Sequence, residues 1–176
     1  MKKQIFEIVN FFPDDYCDLL TEWLSLEKLM PKNGANSSFD GKTICYTGIK
    51  VEFIKQIVMS FKYMATSKVQ ELTGNNKLFP DFTDLVKWKS GETMPVHHDN
   101  VDYCSYREYS GVLYLNDDYE GGETFFPDLN YEIIPEKGKL ALFPSDNTFM
   151  HGVRYIKGNR YTLPIWFTTK LEKIET

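Results

Sequence analysis

The chain holds three histidines, and they frame the chemistry it can do: His97 and His98 stand together, and His151 follows far downstream. The first two belong to Val96-His97-His98-Asp99-Asn100, which sets His97 and Asp99 two residues apart. On an extended strand, positions i and i+2 share a face. A His-x-Asp pair there presents an imidazole and a carboxylate side by side. His98 would point to the opposite face, so His97 is the candidate ligand. A second imidazole from a distant strand, His151, would complete a set of two histidines and one carboxylate. Three ligands on one side of an ion leave neighbouring positions open, which suits an Fe(II) that binds a chelating acid and O2 together. The same ligand types also hold catalytic zinc. A His-x-Asp tripeptide by itself is common on ordinary surfaces, so the surrounding sequence has to decide.

Arg160 supplies the next piece. It lies just past Lys157-Gly158-Asn159, a turn signal, and a hairpin there is expected to bring it back beside His151 on the neighbouring strand. Arg160 and Thr162 then share a face. A fixed guanidinium with a hydroxyl beside it matches a carboxylate through paired, charge-assisted hydrogen bonds. Tyr114 is placed to add a phenolic bond. The competing reading of Arg160 is a solvated surface side chain.

The elements that would hold these groups can be read along the chain. Residues 4–9 read as a strand. Pro13-Asp14-Asp15 reads as a helix start, with acids at the positive end of the helix, and residues 16–26 carry Leu19, Leu20, Trp23, Leu24 and Leu26 near helical spacing. Residues 51–72 form a second helix by the same signal, with Phe53, Ile54, Ile57, Val58, Phe61 and Met64, and Thr73-Gly74 ends it. Between the helices, residues 31–42 are polar and glycine-bearing and read as a long loop. From residue 82 the pattern changes to short apolar or alternating runs: 85–88, 96–99, 110–115, 124–126, 131–134, 140–143, 149–155 and 161–168. Turn residues separate them, as a sandwich or jelly roll requires. Helices first and strands later make the class α+β.

Bulk properties narrow the function. A length of 176 residues fits one domain, with residues 1–80 as helical support and 82–170 as the core. The 25 acidic and 20 basic residues give a net charge of −5. A general nucleic-acid binder needs a basic footprint to displace counterions, so none is expected. Three cysteines without a C-x-x-C pair argue against a disulfide framework. With no signal-peptide pattern and no apolar run of membrane-spanning length, the expected setting is cytoplasmic and off the membrane.

The ordered residues from Trp88 to Phe167 resemble the catalytic core of the prolyl 4-hydroxylase branch of the Fe(II)/2-oxoglutarate dioxygenases. The run is Gly91-x5-His97-x-Asp99, Tyr114-Leu115-Asn116-Asp117, Gly121-Gly122-Glu123-Thr124-Phe125-Phe126-Pro127, Pro135-x-Lys137-Gly138-x2-Ala141-Leu142-Phe143, then His151, Arg160 and Trp166. The resemblance implies a double-stranded β-helix, a jelly roll, flanked by N-terminal helices. It implies that His97, Asp99 and His151 bind Fe(II). It implies that Arg160 pairs with the far carboxylate of 2-oxoglutarate, with Tyr114, Thr162 and Thr124 assisting. Trp88 stands where the family usually has a tyrosine near the iron.

The implied activity is hydroxylation of a C–H bond with release of succinate and CO2. Fe(II), 2-oxoglutarate and O2 are the implied cofactor and co-substrates, with ascorbate as a reductant. The expected substrate is a prolyl residue in a peptide or protein. The alternatives are an oxygenase acting on a free amino acid or another small molecule, and a non-catalytic metal-binding jelly-roll module. Trp166, Arg107 and Tyr103 are the candidate substrate contacts, and residues 30–42 and 100–109 are the loops expected to close over the site.

Overall fold

The computed structural model describes residues 4–27, 30–31 and 42–175. Strand β1 (Phe6–Ile8) leads into helix α1 (Asp14–Leu26), which starts at Pro13 with Asp14 and Asp15 in its first turn. The short strands β2 (Met30–Pro31) and β3 (Lys42–Cys45) follow, and then α2 (Glu52–Thr73). Gly74 closes α2 in the left-handed conformation, at φ 65°. The rest is β: β4 (Phe79–Trp88), β5 (Met94–His97), β6 (Arg107–Tyr114), β7 (Glu120–Gly121), β8 (Thr124–Phe126), β9 (Tyr131–Ile133), β10 (Leu140–Pro144), β11 (His151–Val153), β12 (Ile156–Lys157) and β13 (Arg160–Thr168).

Among the described residues these strands make a large sheet, in the order β1-β10-β6-β13-β4-β3-β2, and a smaller one, β5-β11-β8-β9. Strands β7 and β12 pair with each other at one end. From β4 to β13 the chain passes repeatedly between the two sheets, which is the jelly-roll pattern, and the pairings are antiparallel. The expected α+β class, with a double-stranded β-helix and N-terminal helices, is the architecture observed.

Alternation along β13 separates the two faces of the large sheet. Tyr161, Leu163, Ile165 and Phe167 point to the helices, where they pack with Leu20 and Leu24 of α1 and Ile57, Val58 and Phe61 of α2. Burying each such side chain stabilises the fold by about 1.5–3 kcal/mol. Arg160, Thr162, Pro164 and Trp166 point the other way, into a cavity between the sheets. The apolar stripes of the helices are narrower than their sequence suggests: Leu19 and Leu26 of α1, and Phe53 and Met64 of α2, are exposed.

Three expectations need correction. Residues 100–109 are not all loop, because β6 already begins at Arg107 and pairs with β13 there. Strands β2, β3, β7 and β12 are missing from the sequence reading; β2, β7 and β12 have two residues each, too few for alternation to show. The loop expected over residues 31–42 is framed by the β2–β3 pair, and its residues 32–41 lie outside the described residues.

Candidate active site

His97 is the last residue of β5, and His151 the first of β11, and these two strands pair so that the histidines are direct partners. Their rings lie 4.5 Å apart, centroid to centroid. Asp99 is not on the strand. It sits in a bend two residues past its end, so the shared face assumed for a regular strand is not what aims it. Instead Ser145 clamps the bend: its backbone carbonyl accepts from the Asp99 and Asn100 N–H groups, each over 3.0 Å. His97, Asp99 and His151 nevertheless converge, with one ligand atom from each within 4.8 Å of the others. His98 turns to Asn100, with Nδ1 2.9 Å from Oδ1.

Both ligand-type histidines have a fixed tautomer. His97 Nδ1 lies 2.8 Å from the Pro95 carbonyl and His151 Nδ1 3.0 Å from the Phe149 carbonyl. A carbonyl only accepts, so each Nδ1 carries the proton and each Nε2 presents its lone pair to Asp99, at 3.7 and 3.5 Å. Burial pushes the His151 imidazole below its ordinary pKa, against the pull of Asp99, and keeps it neutral as a metal ligand must be. Burial by itself would raise the Asp99 carboxyl. The pull of the facing His151 and His97 rings as they take up a proton, with hydrogen bonds from Ser110 and Trp166, outweighs it and holds Asp99 below its usual range. Phe126 and Phe143 wall off His151, while His97 is half-exposed and marks the open side.

Arg160 lies in the same cavity, but not beside His151 on a neighbouring strand, as the expected hairpin had it. Strand β11 belongs to the small sheet and β13 to the large one, and residues 154–159 carry the chain from one to the other. The guanidinium therefore faces the histidines across the sandwich. It is 1% exposed, and its Nε is buried with no hydrogen-bond partner. A buried, uncompensated cation costs several kcal/mol. A carboxylate bound there would remove that cost, so the residues present fit an anionic co-substrate. The Arg160 guanidinium also stacks on Trp88 at 4.9 Å and approaches the Tyr114 ring at 5.3 Å.

Thr162 and Thr124 line the cavity with Arg160. The Thr162 hydroxyl accepts from the Trp88 indole N–H over 3.1 Å, which leaves its own proton to donate. The Tyr114 and Thr124 hydroxyls are 2.8 Å apart. Burial keeps the Tyr114 phenol above its ordinary pKa, with Arg160 and Thr124 opposing, so it stays protonated. Trp88 thus belongs to the Arg160 end of the cavity. Trp166 lines the opposite end, and Arg107 stacks on it at 4.5 Å while held by Asp81 at 3.0 Å. Arg107 and Tyr103 do not line the cavity, and Tyr103 is 82% exposed.

The sequence reading missed Ser110 and Ser145, which fasten Asp99, and Tyr119, which backs Arg160. Ser110 had a usable signal, since it is a hydroxyl at an inward position of an otherwise apolar stretch of β6. Tyr119 had none, because it lies in a turn. The cavity, of about 150 Å3, joins the metal-type cluster to the guanidinium, with Val112, Phe143 and Val153 as apolar wall. Two imidazoles at the edge of one sheet and a carboxylate just beyond it, facing a buried arginine on the other sheet, fit a metal ion and a carboxylate-bearing ligand in one jelly-roll cavity.

Known proteins agree. Residues 83–168 match the family model of the 2OG-Fe(II) oxygenase superfamily. The family's cofactor and co-substrates are Fe(II), 2-oxoglutarate and O2. Prolyl 3-hydroxylase 2 of Homo sapiens is 32% identical over 105 residues, covering 46% of this chain and 15% of that protein, so the chain matches only a small part of its relative. The viral collagen prolyl hydroxylase of Paramecium Bursaria Chlorella virus-1, solved with 2OG, has the same fold: TM-score 0.70, 20% identity, 94% of this chain and 96% of that one. The prolyl hydroxylase of Trichoplax adhaerens, solved with a hypoxia inducible factor peptide, superposes with a TM-score of 0.78 at 18% identity, over 98% of this chain and 86% of that one.

Proposed function

We propose that the chain is an Fe(II)/2-oxoglutarate-dependent dioxygenase that hydroxylates a prolyl residue in a peptide or protein. The observation that carries this is the shared cavity. His97, Asp99 and His151 stand on one side of it, and Arg160, whose Nε has no hydrogen-bond partner, faces them from the other.

His97 and His151 would hold the metal through Nε2, and Asp99 through its carboxylate. When bound, Fe(II) supplies the O2 activation that couples decarboxylation of 2-oxoglutarate, to succinate and CO2, to oxidation of a C–H bond. Arg160 and the Thr162 hydroxyl bind and orient the far carboxylate of the co-substrate. Phe143, Val112 and Val153 exclude water from the space between. The substrate approaches from the half-exposed His97 side, past Trp166.

A prolyl substrate is supported by the relatives' names, which are those of prolyl hydroxylases. A proline-rich segment also loses little entropy when it docks, because it is already extended. The test is a panel of proline-containing peptides, free proline and other free amino acids, with Fe(II), 2-oxoglutarate and O2. A gain of one oxygen on a peptide, with stoichiometric succinate, is expected, and NMR of the product assigns the carbon. Oxidation of a free amino acid alone would overturn the peptidyl claim and leave the oxygenase reading standing.

A further inference from the structure

Arg160 has a second unpartnered neighbour. Tyr119 follows β6 in a turn, and its hydroxyl is buried without a hydrogen-bond partner, as is Arg160 Nε. Burial raises the phenol well above its ordinary pKa and Arg160 is the main group opposing it, so the two sit within electrostatic reach. Tyr119 does not line the cavity with Arg160, Thr162 and Thr124, and its ring and the Arg160 stem both close on Gly122.

The packing around this pair is closed. At Gly122 a Cβ would lie 2.9 Å from Tyr119 Cε2 and 3.0 Å from Arg160 Cδ, and at Gly158 a Cβ would lie 2.9 Å from Tyr119 Cβ. Both glycines have positive φ, 71° and 121°, so the backbone there also disfavours a side chain. The ring and the arginine stem occupy the space that a Cβ would need. The chain on both sides of Arg160 is tied down as well. Asn116 Nδ2 donates to the Asn159 carbonyl, and Asn116 Oδ1 accepts from the Tyr161 N–H, each over 2.8 Å. Only the Arg160 side chain is left to adjust, and Tyr119 bars its retreat.

We infer that Tyr119 is a positioning residue that sets the depth of the cavity's anionic end, and with it the length of dicarboxylate that fits. This rests on the reading of Arg160 as the receiver of the co-substrate's far carboxylate. On this inference the guanidinium is held forward at the depth that suits a five-carbon 2-oxo diacid. A six-carbon diacid is one methylene too long and a four-carbon one falls short. Without the ring, the flexible arginine stem withdraws toward the space that Tyr119 vacates, and the longer diacid gains.

The experiment is calorimetric binding of oxaloacetate, 2-oxoglutarate and 2-oxoadipate to the Zn(II)-loaded protein, which cannot turn over. In Tyr119→Ala the ratio of the 2-oxoadipate to the 2-oxoglutarate dissociation constant is expected to fall by about tenfold or more, the usual weight of one methylene in a fitted pocket. Affinity for Zn(II) is expected to stay at the wild-type value. If Tyr119→Ala does not fold, Tyr119→Leu, a shorter plug, is expected to shift the ratio in the same direction. An unchanged ratio in a folded variant overturns the inference. Arg160→Ala, measured in parallel, separates the two readings. If it abolishes 2-oxoglutarate binding while the Tyr119 variants keep the wild-type ratio, only the role of Tyr119 falls. If it leaves 2-oxoglutarate binding intact, the reading of Arg160 falls and takes this one with it.

Discussion

The Ser110 hydroxyl donates to Asp99 Oδ2 over 2.6 Å, and its oxygen lies 2.8 Å from the Ser145 hydroxyl. Asp99 comes from a bend beyond β5 and Ser110 from the middle of β6, so this bond ties the small sheet's ligand set to the large sheet. It also helps keep the carboxylate ionised. Partners of metal-binding carboxylates typically matter by 10–100-fold in metal affinity. Ser110→Ala is therefore expected to weaken Fe(II) or Zn(II) binding by about 10–100-fold while the fold persists, as read by competition with a chelating dye.

The ligand assignment makes a sharper contrast. His97→Ala, Asp99→Ala and His151→Ala are each expected to abolish substrate-coupled succinate formation. His98→Ala is expected to retain most of it, because His98 bonds to Asn100 and is not part of the cluster. An inactive His98→Ala beside an active His97→Ala would reverse the assignment.

Arg160→Ala is expected to weaken 2-oxoglutarate binding by about 2–5 kcal/mol, the cost of leaving a buried carboxylate unpaired. Metal affinity should survive, since Arg160 is on the opposite sheet from the ligands. Arg160→Lys restores only part of the loss, because an ammonium lacks the two-pronged geometry. Equal 2-oxoglutarate affinity in wild type and Arg160→Ala would exclude this role.

Cys17 is fully buried, and burial first, then Asp14, pushes its thiol from 9.0 up to about 12. The folded form thus keeps a proton that the unfolded chain gives up. The Cys17 contribution to stability is complete below pH 9.0 and is lost as pH rises from 9.0 toward about 12. In a thiol-reagent assay at pH 8, the half-buried Cys45 is expected to react first in the native protein. Cys17 should react only at the rate of unfolding, and rapid native labelling of Cys17 would contradict its burial.

Lys62 and Glu175 form an ion pair at 2.8 Å, with side chains 11% and 5% exposed, and Lys62 also lies 3.9 Å over the Tyr46 ring. The Glu175 N–H donates to the Pro80 carbonyl, so the pair pins the end of the chain to α2 and β4. Lys62→Met leaves a buried carboxylate and is expected to destabilise the fold by about 3–5 kcal/mol. Adding Glu175→Gln should recover much of that in a denaturant titration. Additive losses would mean that the two side chains do not depend on each other.

The sequence by itself determined which residues could do chemistry and much of the secondary structure. Helical spacing in residues 51–72 located α2, and alternation put Arg160 and Thr162 on one face of the last strand, because both signals are local to one element. The identities of His97, Asp99, His151 and Arg160 were legible for the same reason: few residue types bind a metal or a carboxylate. The tertiary structure alone decided where those groups meet. Sheet membership is fixed by pairing between residues far apart in the chain, and no local pattern in 154–159 says that the chain crosses from β11 in one sheet to β13 in the other. That crossing puts Arg160 opposite the histidines rather than beside them, and opens a space between. Likewise, Asp99 is aimed by the Ser110 hydroxyl, which donates to its carboxylate, and by the Ser145 carbonyl, which accepts from its N–H, not by the alternation of its own strand.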